Sequence, residues 1–360
     1  MKIVIVTNSS GGLYNFRKML IEKLLIDNEV VAYTPFRGSE DILRKVGCIM
    51  KELRIDRRGT NPIADSKLVI NLIRILIKEK PDLVITYTIK PNIYAGFVCR
   101  LLKIPYAANI TGLGTAFERG KLLETATCFM YKVALRKAKV VFFENDFNRQ
   151  LFIKKGIVKK ERTCRLMGAG VDLNKFSMLP YPTEDTPFHF LFIGRIMKEK
   201  GIEELLAATK MLVDEGYDLV LDILGRYEEN YKELIDSYSN EGWLHYHGLQ
   251  KDVRPFIQSA HCFVLPSYHE GMANTNLENA ASGRPVITSD IPGCNEAIIA
   301  GISGLTCEPK NVKSLYRVMK QMISYNNEDR EKMGRAGREH MEKNFDKEKV
   351  VQMTLRALGL

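Results

Sequence analysis

Short apolar strand segments alternate with amphipathic helical ones along this chain, and after a single break the alternation begins again. Such alternation implies parallel βαβ units, because strands that pair in parallel need a long crossover and a helix is the compact way to make one. Residues 2–7 (KIVIVT) read as a strand, Asn8 to Gly12 as a small-residue turn, and the next stretch as a helix with Leu20, Leu24 and Leu25 on its apolar side. EVVAYTP, DLVITYT, IPYAANI and KVVFFEN read as further strands, separated by the helical DSKLVINLIRILIKEK, NIYAGFVCRLLK and KLLETATCFMYKVALRKA. Residues 178–187 (MLPYPTEDTP) hold three prolines and no apolar periodicity, which places an interdomain linker there. The second run has strands FHFLFIGR, YDLVLDILG, WLHYHG, HCFVLPS and RPVITSD, with helices between them and filling the tail. The expected fold class is α/β, two Rossmann-like domains facing across a cleft. Their expected extents are residues 1–180 and 181–360, the last helix being able to return to the first domain. Ligands of such sheets sit at the carboxyl ends of the strands.

A length of 360 residues suits two cores of this size, and 45% hydrophobic with 27% charged residues is a globular composition. The N-terminal apolar run is too short for a signal peptide, and no stretch reaches the ~18 apolar residues of a spanning helix. The expected location is therefore cytoplasmic or peripheral on the inner face of the cell membrane. The seven cysteines (Cys48, Cys99, Cys128, Cys164, Cys262, Cys294, Cys307) show no C-x-x-C pairing, which argues against a disulfide framework or a zinc cluster. His245 and His247 are two apart on a strand and share a face, but without carboxylate or cysteine company in the sequence they are assigned no metal. The net charge of +10 is uneven: residues 1–180 carry 32 Lys and Arg against 16 Asp and Glu, and the remainder 21 against 27. The first half thus expects an anionic partner: nucleic acid, an acidic membrane or a phosphorylated substrate.

Three loops carry candidate chemistry. Ser10, Gly11 and Gly12 lie between a strand and a helix, where unobstructed backbone amides suit a phosphate, although a plain tight turn fits them equally. The loop is not G-x-G-x-x-G, and no acidic residue closes the second strand, so dinucleotide binding is disfavoured. Gly194-Arg195 ends a strand, and Lys198, Lys200 and Gly201 precede the next helix. An arginine fork and a lysine point charge at a helix N-terminus make a clamp for a diphosphate. Glu270 falls in the loop after HCFVLPS, and Glu278 lies in the first turns of the helix that begins near Asn274. Two carboxylates so placed can both accept hydrogen bonds from sugar hydroxyls.

FIGR-x-x-x-x-KG followed by E-x7-E, with LPSYHEG, SGRPVITSD, GVDLNKF (170–176) and QKDV (250–253), resembles glycosyltransferase family 4, of the two-Rossmann architecture called GT-B. The ordered set covers essentially the whole chain. GGLYNFRKMLI and ITGLGTAF resemble the subgroup that extends bacterial surface polysaccharides and lipid-linked glycans, of the N-acetylgalactosaminyl or galactosyl type. The resemblance implies a UDP-sugar donor whose diphosphate meets Arg195 and Lys200; no cofactor is expected, and no carboxylate pair such as D-x-D is placed to hold a metal there. Glu278 would take the ribose hydroxyls and Glu270 the transferred sugar, with Arg195, Lys200 and Glu270 as the catalytic set. Gly194, Arg226, Lys251, Asp252 and Val253 would line the rest of the donor site, and the amides of Met272, Ala273, Asn274 and Thr275 would meet the phosphates. Many members carry a histidine in the N-domain loop; here that region reads Asn109-Ile110-Thr111, so Asn109 or Thr111 is the candidate for its contact. The implied reaction is sugar transfer with retained configuration, by front-face displacement or through Glu270 as nucleophile.

The implied acceptor, a polyprenyl-diphosphate-linked sugar, accounts for the basic first half through Arg17 and the Ser10–Gly12 loop. Residues 121–139 mix Leu122, Leu123, Phe129, Met130 and Tyr131 with Lys132, Arg136, Lys137 and Lys139, a pattern shared by helices lying on an anionic membrane surface and by half-buried Rossmann helices. Nucleic acid is not an expected partner, because the aromatic-basic interleaving of a known module is absent and the two glutamates would have no use. A sugar-nucleotide epimerase or a phosphorylase on the same architecture remains the enzymatic rival.

Overall fold

Ile3, Val4, Ile5 and Val6 are fully buried, so β1 (Lys2–Val6) is covered on both faces, as a central strand of a parallel sheet must be. The computed structural model describes residues 1–56, 61–112, 121–182 and 187–360. These form two compact units, one of residues 1–169 with 348–360 and one of residues 170–347.

In the first unit β1 is joined by β2 (Glu29–Thr34), β3 (Ile49–Glu52), β4 (Leu83–Tyr87), β5 (Tyr106–Ile110), β6 (Val140–Phe143) and β7 (Thr163–Arg165), in the order β3-β2-β1-β4-β5-β6-β7. The second unit has β8 (Phe188–Ile193), β9 (Leu219–Leu224), β10 (Leu244–Gly248), β11 (Cys262–Leu265), β12 (Val286–Ser289) and β13 (Gly304–Cys307), in the order β10-β9-β8-β11-β12-β13. All the strand pairs are parallel. Each sheet reverses direction beside its first strand, the doubly wound order whose switch point is the usual ligand position. Here the switch points are the ends of β1 and β4, and of β8 and β11.

Three strands escaped the sequence reading. β3, β7 and β13 are each an outer strand of three or four residues, too short to show a period; β3 and β7 are only partly buried, whereas β13 is mostly buried but contains a glycine and a threonine. The closing helix, Lys347–Leu358, buries Val350, Val351 and Leu358 in the core of the first unit with Ile3, Ile5 and Leu166. Lys139 Nζ ties that helix down by donating to the Leu358 carbonyl at 2.6 Å.

The proline-rich stretch expected to be a linker is anchored where it is described. Leu179 donates its N–H to Ser282 O at 3.2 Å, and Tyr181 Oη donates to His261 O at 2.8 Å. The compact units change over earlier, between Ala169 and Gly170. The anchor is Arg284, fully buried, whose guanidinium donates to the carbonyls of Ile257 (2.8 Å), Pro180 (2.5 Å) and Gln258 (3.2 Å). Burial pulls its pKa down to about 10, still far enough above neutrality to keep the charge. Arg284→Met should leave those carbonyls unpaired at about 1–3 kcal/mol each. The expected result is a clear fall in the urea midpoint of a protein that still folds cooperatively.

Candidate active site

At the end of β8 the chain turns through Gly194-Arg195 and a short 3-10 turn, Lys198–Lys200, before helix Ile202–Asp214. Gly201 sits between them at φ 71°, and a Cβ there would lie 2.1 Å from the carbonyl oxygen of Pro266, just past β11. Glycine is required both by the left-handed backbone and by that approach. Tyr268 N–H then donates to Glu199 O at 2.9 Å, sealing the two loops together.

This contact brings together two residues that the sequence separates by seventy positions. Lys200 Nζ donates to Glu270 Oε1, and Ser267 Oγ donates to the same oxygen at 2.9 Å. Both side chains are largely covered, 17% and 14% exposed, so the pair is shielded from bulk water but still reachable. A cation beside a carboxylate has the chemistry to take a sugar 1-diphosphate, in which phosphate and hydroxyl-bearing ring are joined through one oxygen.

The neighbouring loops are stitched on by backbone. Ile196 N–H donates to Arg226 O and Glu228 N–H to Ile196 O, at 2.9 and 3.0 Å. Gly225 lies so close that a Cβ would be 1.7 Å from Gly194 O, and its own N–H donates to Gly248 O at 2.8 Å. The ends of β8, β9 and β10 thus form one surface. On it Arg195 and Arg226 bracket Glu228, 3.8 and 3.7 Å away, a residue with no signature of its own in the sequence. Farther along, Asp252 is engaged by the Arg254 fork at 2.8 and 2.7 Å, which holds its carboxyl down to about 2. Lys251 and Val253 flank it in the same loop.

Helix Asn274–Ala281 carries Glu278. Met272 and Ala273 are buried ahead of it, and the Ala273 N–H is used by Gly293 O at 2.7 Å. The amides of Asn274 and Thr275 lie in the first turn, which has no intrahelical acceptor. Arg338 donates to the carbonyls of Ala281 (2.9 Å) and Phe176 (2.8 Å), tying the end of this helix to the GVDLNKF stretch and bringing Lys175 towards Glu278. Desolvation pushes the Glu278 carboxyl up to about 7, opposed by the positive charges of Lys175 and Lys347.

In the first unit Ser9 caps the Ser10–Gly12 turn, its Oγ accepting from Gly12 N–H at 3.0 Å. A π-helical turn, Leu13–Arg17, follows. Arg17 is buried in an ion pair with Glu144 at 2.6 Å and lies over the Tyr87 ring, so its charge is engaged within the protein. Asn109 is buried too, its amide donating to Thr86 O at 3.1 Å, while Thr111 lies half-buried just beyond β5. The rest of ITGLGTAF, from 113 on, lies outside the described residues.

A family described as "Glycosyl transferases group 1" matches residues 178–340, and one described as "Glycosyl transferase 4-like" matches residues 6–145. The chain belongs to these glycosyltransferases, as a family 4 enzyme of GT-B architecture. It is 28% identical over 333 residues to the N,N'-diacetylbacillosaminyl-diphospho-undecaprenol alpha-1,3-N-acetylgalactosaminyltransferase of Campylobacter jejuni, covering 88% of this chain and 87% of the relative. It is 26% identical to the UDP-Gal:alpha-D-GlcNAc-diphosphoundecaprenol alpha-1,3-galactosyltransferase of Escherichia coli, covering 73% and 71%. Among solved structures, Anabaena HepE in complex with UDP and glucose shares the fold at TM-score 0.81 and 14% identity, covering 100% of this chain and 99% of that one.

Glu278 gives a pH test. With a pKa near 7 it is mostly protonated at pH 6 and mostly ionised at pH 8, and only the ionised carboxylate can accept two hydroxyl hydrogen bonds without donating one. UDP affinity of the wild type should therefore rise across that window, and Glu278→Gln should flatten the rise. The same shift has a folding consequence. The raised folded pKa costs stability as pH climbs from about 4.5 to about 7, because the unfolded chain ionises first; the Gln variant should lose that decline. Titration calorimetry and thermal unfolding at both pH values read the two effects.

Proposed function

We propose that this enzyme transfers a hexose or N-acetylhexosamine from a UDP-sugar to a polyprenyl-diphosphate-linked saccharide, retaining the anomeric configuration. The observation that carries the reading is the Lys200–Glu270 contact at the switch point of the second sheet, with Arg195 and the amides of Asn274 and Thr275 in adjoining loops. The acceptor class is supported by the undecaprenol-diphosphate substrates in the names of the Campylobacter and Escherichia relatives. The donor is supported by the Escherichia relative's name and by the UDP complex of a protein of the same fold.

In the reaction, the bond between the anomeric carbon and the β-phosphate oxygen breaks while an acceptor hydroxyl bonds to that carbon on the same face. The hydroxyl proton passes to the departing phosphate, and UDP leaves. Arg195 and Lys200 stabilise the charge that builds on the diphosphate, and Glu270 orients the sugar through its hydroxyls. Incubating the protein with a panel of UDP-sugars and an undecaprenyl-diphosphate sugar should lengthen the acceptor by one residue, seen by mass spectrometry, with the α-anomer seen by NMR. Sugar-nucleotide isomerisation without acceptor extension would replace the transferase with an epimerase. Arg195→Ala should lower kcat by roughly ten- to a thousandfold.

A polyprenyl-linked acceptor would lie in a bilayer, and exposed groups of the first unit support docking at one. No helix among the described residues is long and apolar enough to cross a membrane. Helix Lys121–Leu135 buries Thr127, Tyr131, Ala134 and Leu135 but leaves Phe129 67% exposed. Phe129 joins exposed Phe97 and Leu101, with Lys132, Arg136 and Lys137, around an open depression of about 1250 Å³. Apolar groups among lysines and arginines favour an anionic interface, at about 1 kcal/mol per basic residue. Lys139 is engaged at Leu358, so the test uses Lys132, Arg136 and Lys137. Replacing those three with Gln should release the protein from anionic vesicles and leave UDP binding unchanged. Sedimentation equal to the wild type would assign the surface to another partner.

A further inference from the structure

Four of the six histidines form a cluster at the strands of the second sheet, and His189, His245 and His247 each bring a ring nitrogen within 3.6 Å of Asp222. His245 is in register with Asp222 on the adjacent strand, and His247 is two residues further along β10. On the other side of β9, His189 is in register with Val220, two residues before Asp222, and His261 stacks on it at 6.1 Å. Side chains two apart on a strand share a face, which puts His189 and His245 beside Asp222. His247 lies at a register shift between Tyr246 and Gly248, and its ring still reaches the same carboxylate, completing the cluster. Asp222, 8% exposed, stands in its midst.

We propose that Asp222, His245 and His247 form a site for a divalent transition metal of the zinc type. Asp222 Oδ1 is 2.6 Å from His247 Nε2 and 3.6 Å from His245 Nδ1, and one ligand atom from each of the three residues falls within 4.8 Å of the others. Metal–ligand bonds of ~2.0–2.1 Å in a tetrahedral shell place ligand atoms about 3.3 Å apart, so small side-chain rotations suffice. The second carboxylate oxygen, Oδ2, is held by His189 Nδ1 at 2.9 Å. That is the outer contact that typically orients a ligating carboxylate, and it leaves Oδ1 for the metal. His247 is backed by the Phe256 ring at 4.7 Å, while His245 is half exposed and gives an ion access from solvent. Two imidazoles and one carboxylate suit Zn²⁺, Cu²⁺ or Ni²⁺, whereas Mg²⁺ and Ca²⁺ prefer oxygen ligands throughout. Water would take the fourth position.

The place of the site gives it a consequence. β9 leads within three residues of Asp222 into Gly225-Arg226, and β10 leads from His247 into the loop of Lys251, Asp252 and Val253. A metal bridging the two strands would pin the outer strand β10, and the loops at its end, to the body of the sheet.

The experiment uses the full chain, stripped with chelator and kept reduced. Zn²⁺ is titrated in competition with a chromophoric chelator. The wild type should bind one equivalent, unfold at a higher temperature when loaded, and show a nitrogen and oxygen shell with imidazole scattering by X-ray absorption. His245→Gln combined with His247→Gln, at partly exposed positions that the fold tolerates, should weaken binding by about a hundredfold or more. His189→Gln, which meets Asp222 through the outer carboxylate oxygen alone, should weaken it by roughly ten- to a hundredfold. Absence of stoichiometric binding by folded wild type, sulfur in the shell, or equal affinity in the double variant would each overturn the assignment.

Discussion

The close packing of the loops that follow β8 and β11 is the constraint on which the second unit's chemistry depends. Gly201 permits it, because no Cβ stands between the chain and the Pro266 carbonyl. Once those loops touch, Lys200 and Glu270 meet without further adjustment, and the Ile196–Arg226 and Gly225–Gly248 hydrogen bonds carry the ends of β9 and β10 into the same surface. A site assembled from backbone contacts of this kind is held in place by the fold itself, which is what the proposed electrostatic stabilisation of a departing diphosphate requires. In the unliganded protein the two charges neutralise each other. In the proposed reaction a donor diphosphate would take over the lysine and leave the glutamate free for sugar hydroxyls.

Buried charge is used elsewhere as a fastener. Arg284 gathers carbonyls from the end of helix Arg254–Ser259 and from Pro180; Arg338 gathers those of Phe176 and Ala281. Arg17 pairs with Glu144 in the first unit, and Glu79 takes Lys2 at 2.6 Å and Tyr33 at 2.6 Å. An arginine among carbonyls satisfies several buried acceptors at once, each of which would otherwise cost about 1–3 kcal/mol. It follows that a basic residue near a functional loop is not by its position a ligand contact. Arg17 sits at the right distance from the Ser10–Gly12 turn in sequence, and the fold commits it to Glu144.

Much was legible before the structure. The βαβ alternation fixes the class of fold because parallel pairing demands crossovers, and the long central strands announce themselves by uninterrupted apolar runs such as IVIV and VVFF. The positions of Arg195, Lys200, Glu270 and Glu278 at strand ends and helix starts were legible too, because each follows a strand or opens a helix. The short outer strands β3, β7 and β13 were not, having too few residues for a period.

Sequence by itself determined the two Rossmann sheets and the residues that stand at their carboxyl ends, because both are matters of local period and of loops between neighbouring elements. Tertiary structure alone decided partnerships. Lys200 meets Glu270 and Asp222 meets three imidazoles only when strands distant in the chain take adjacent places and a definite register in the sheet. The same is true of the last helix, whose amphipathic face states that it must pack but not on which unit. Its apolar residues are complementary to the first core, and that complementarity exists only in three dimensions.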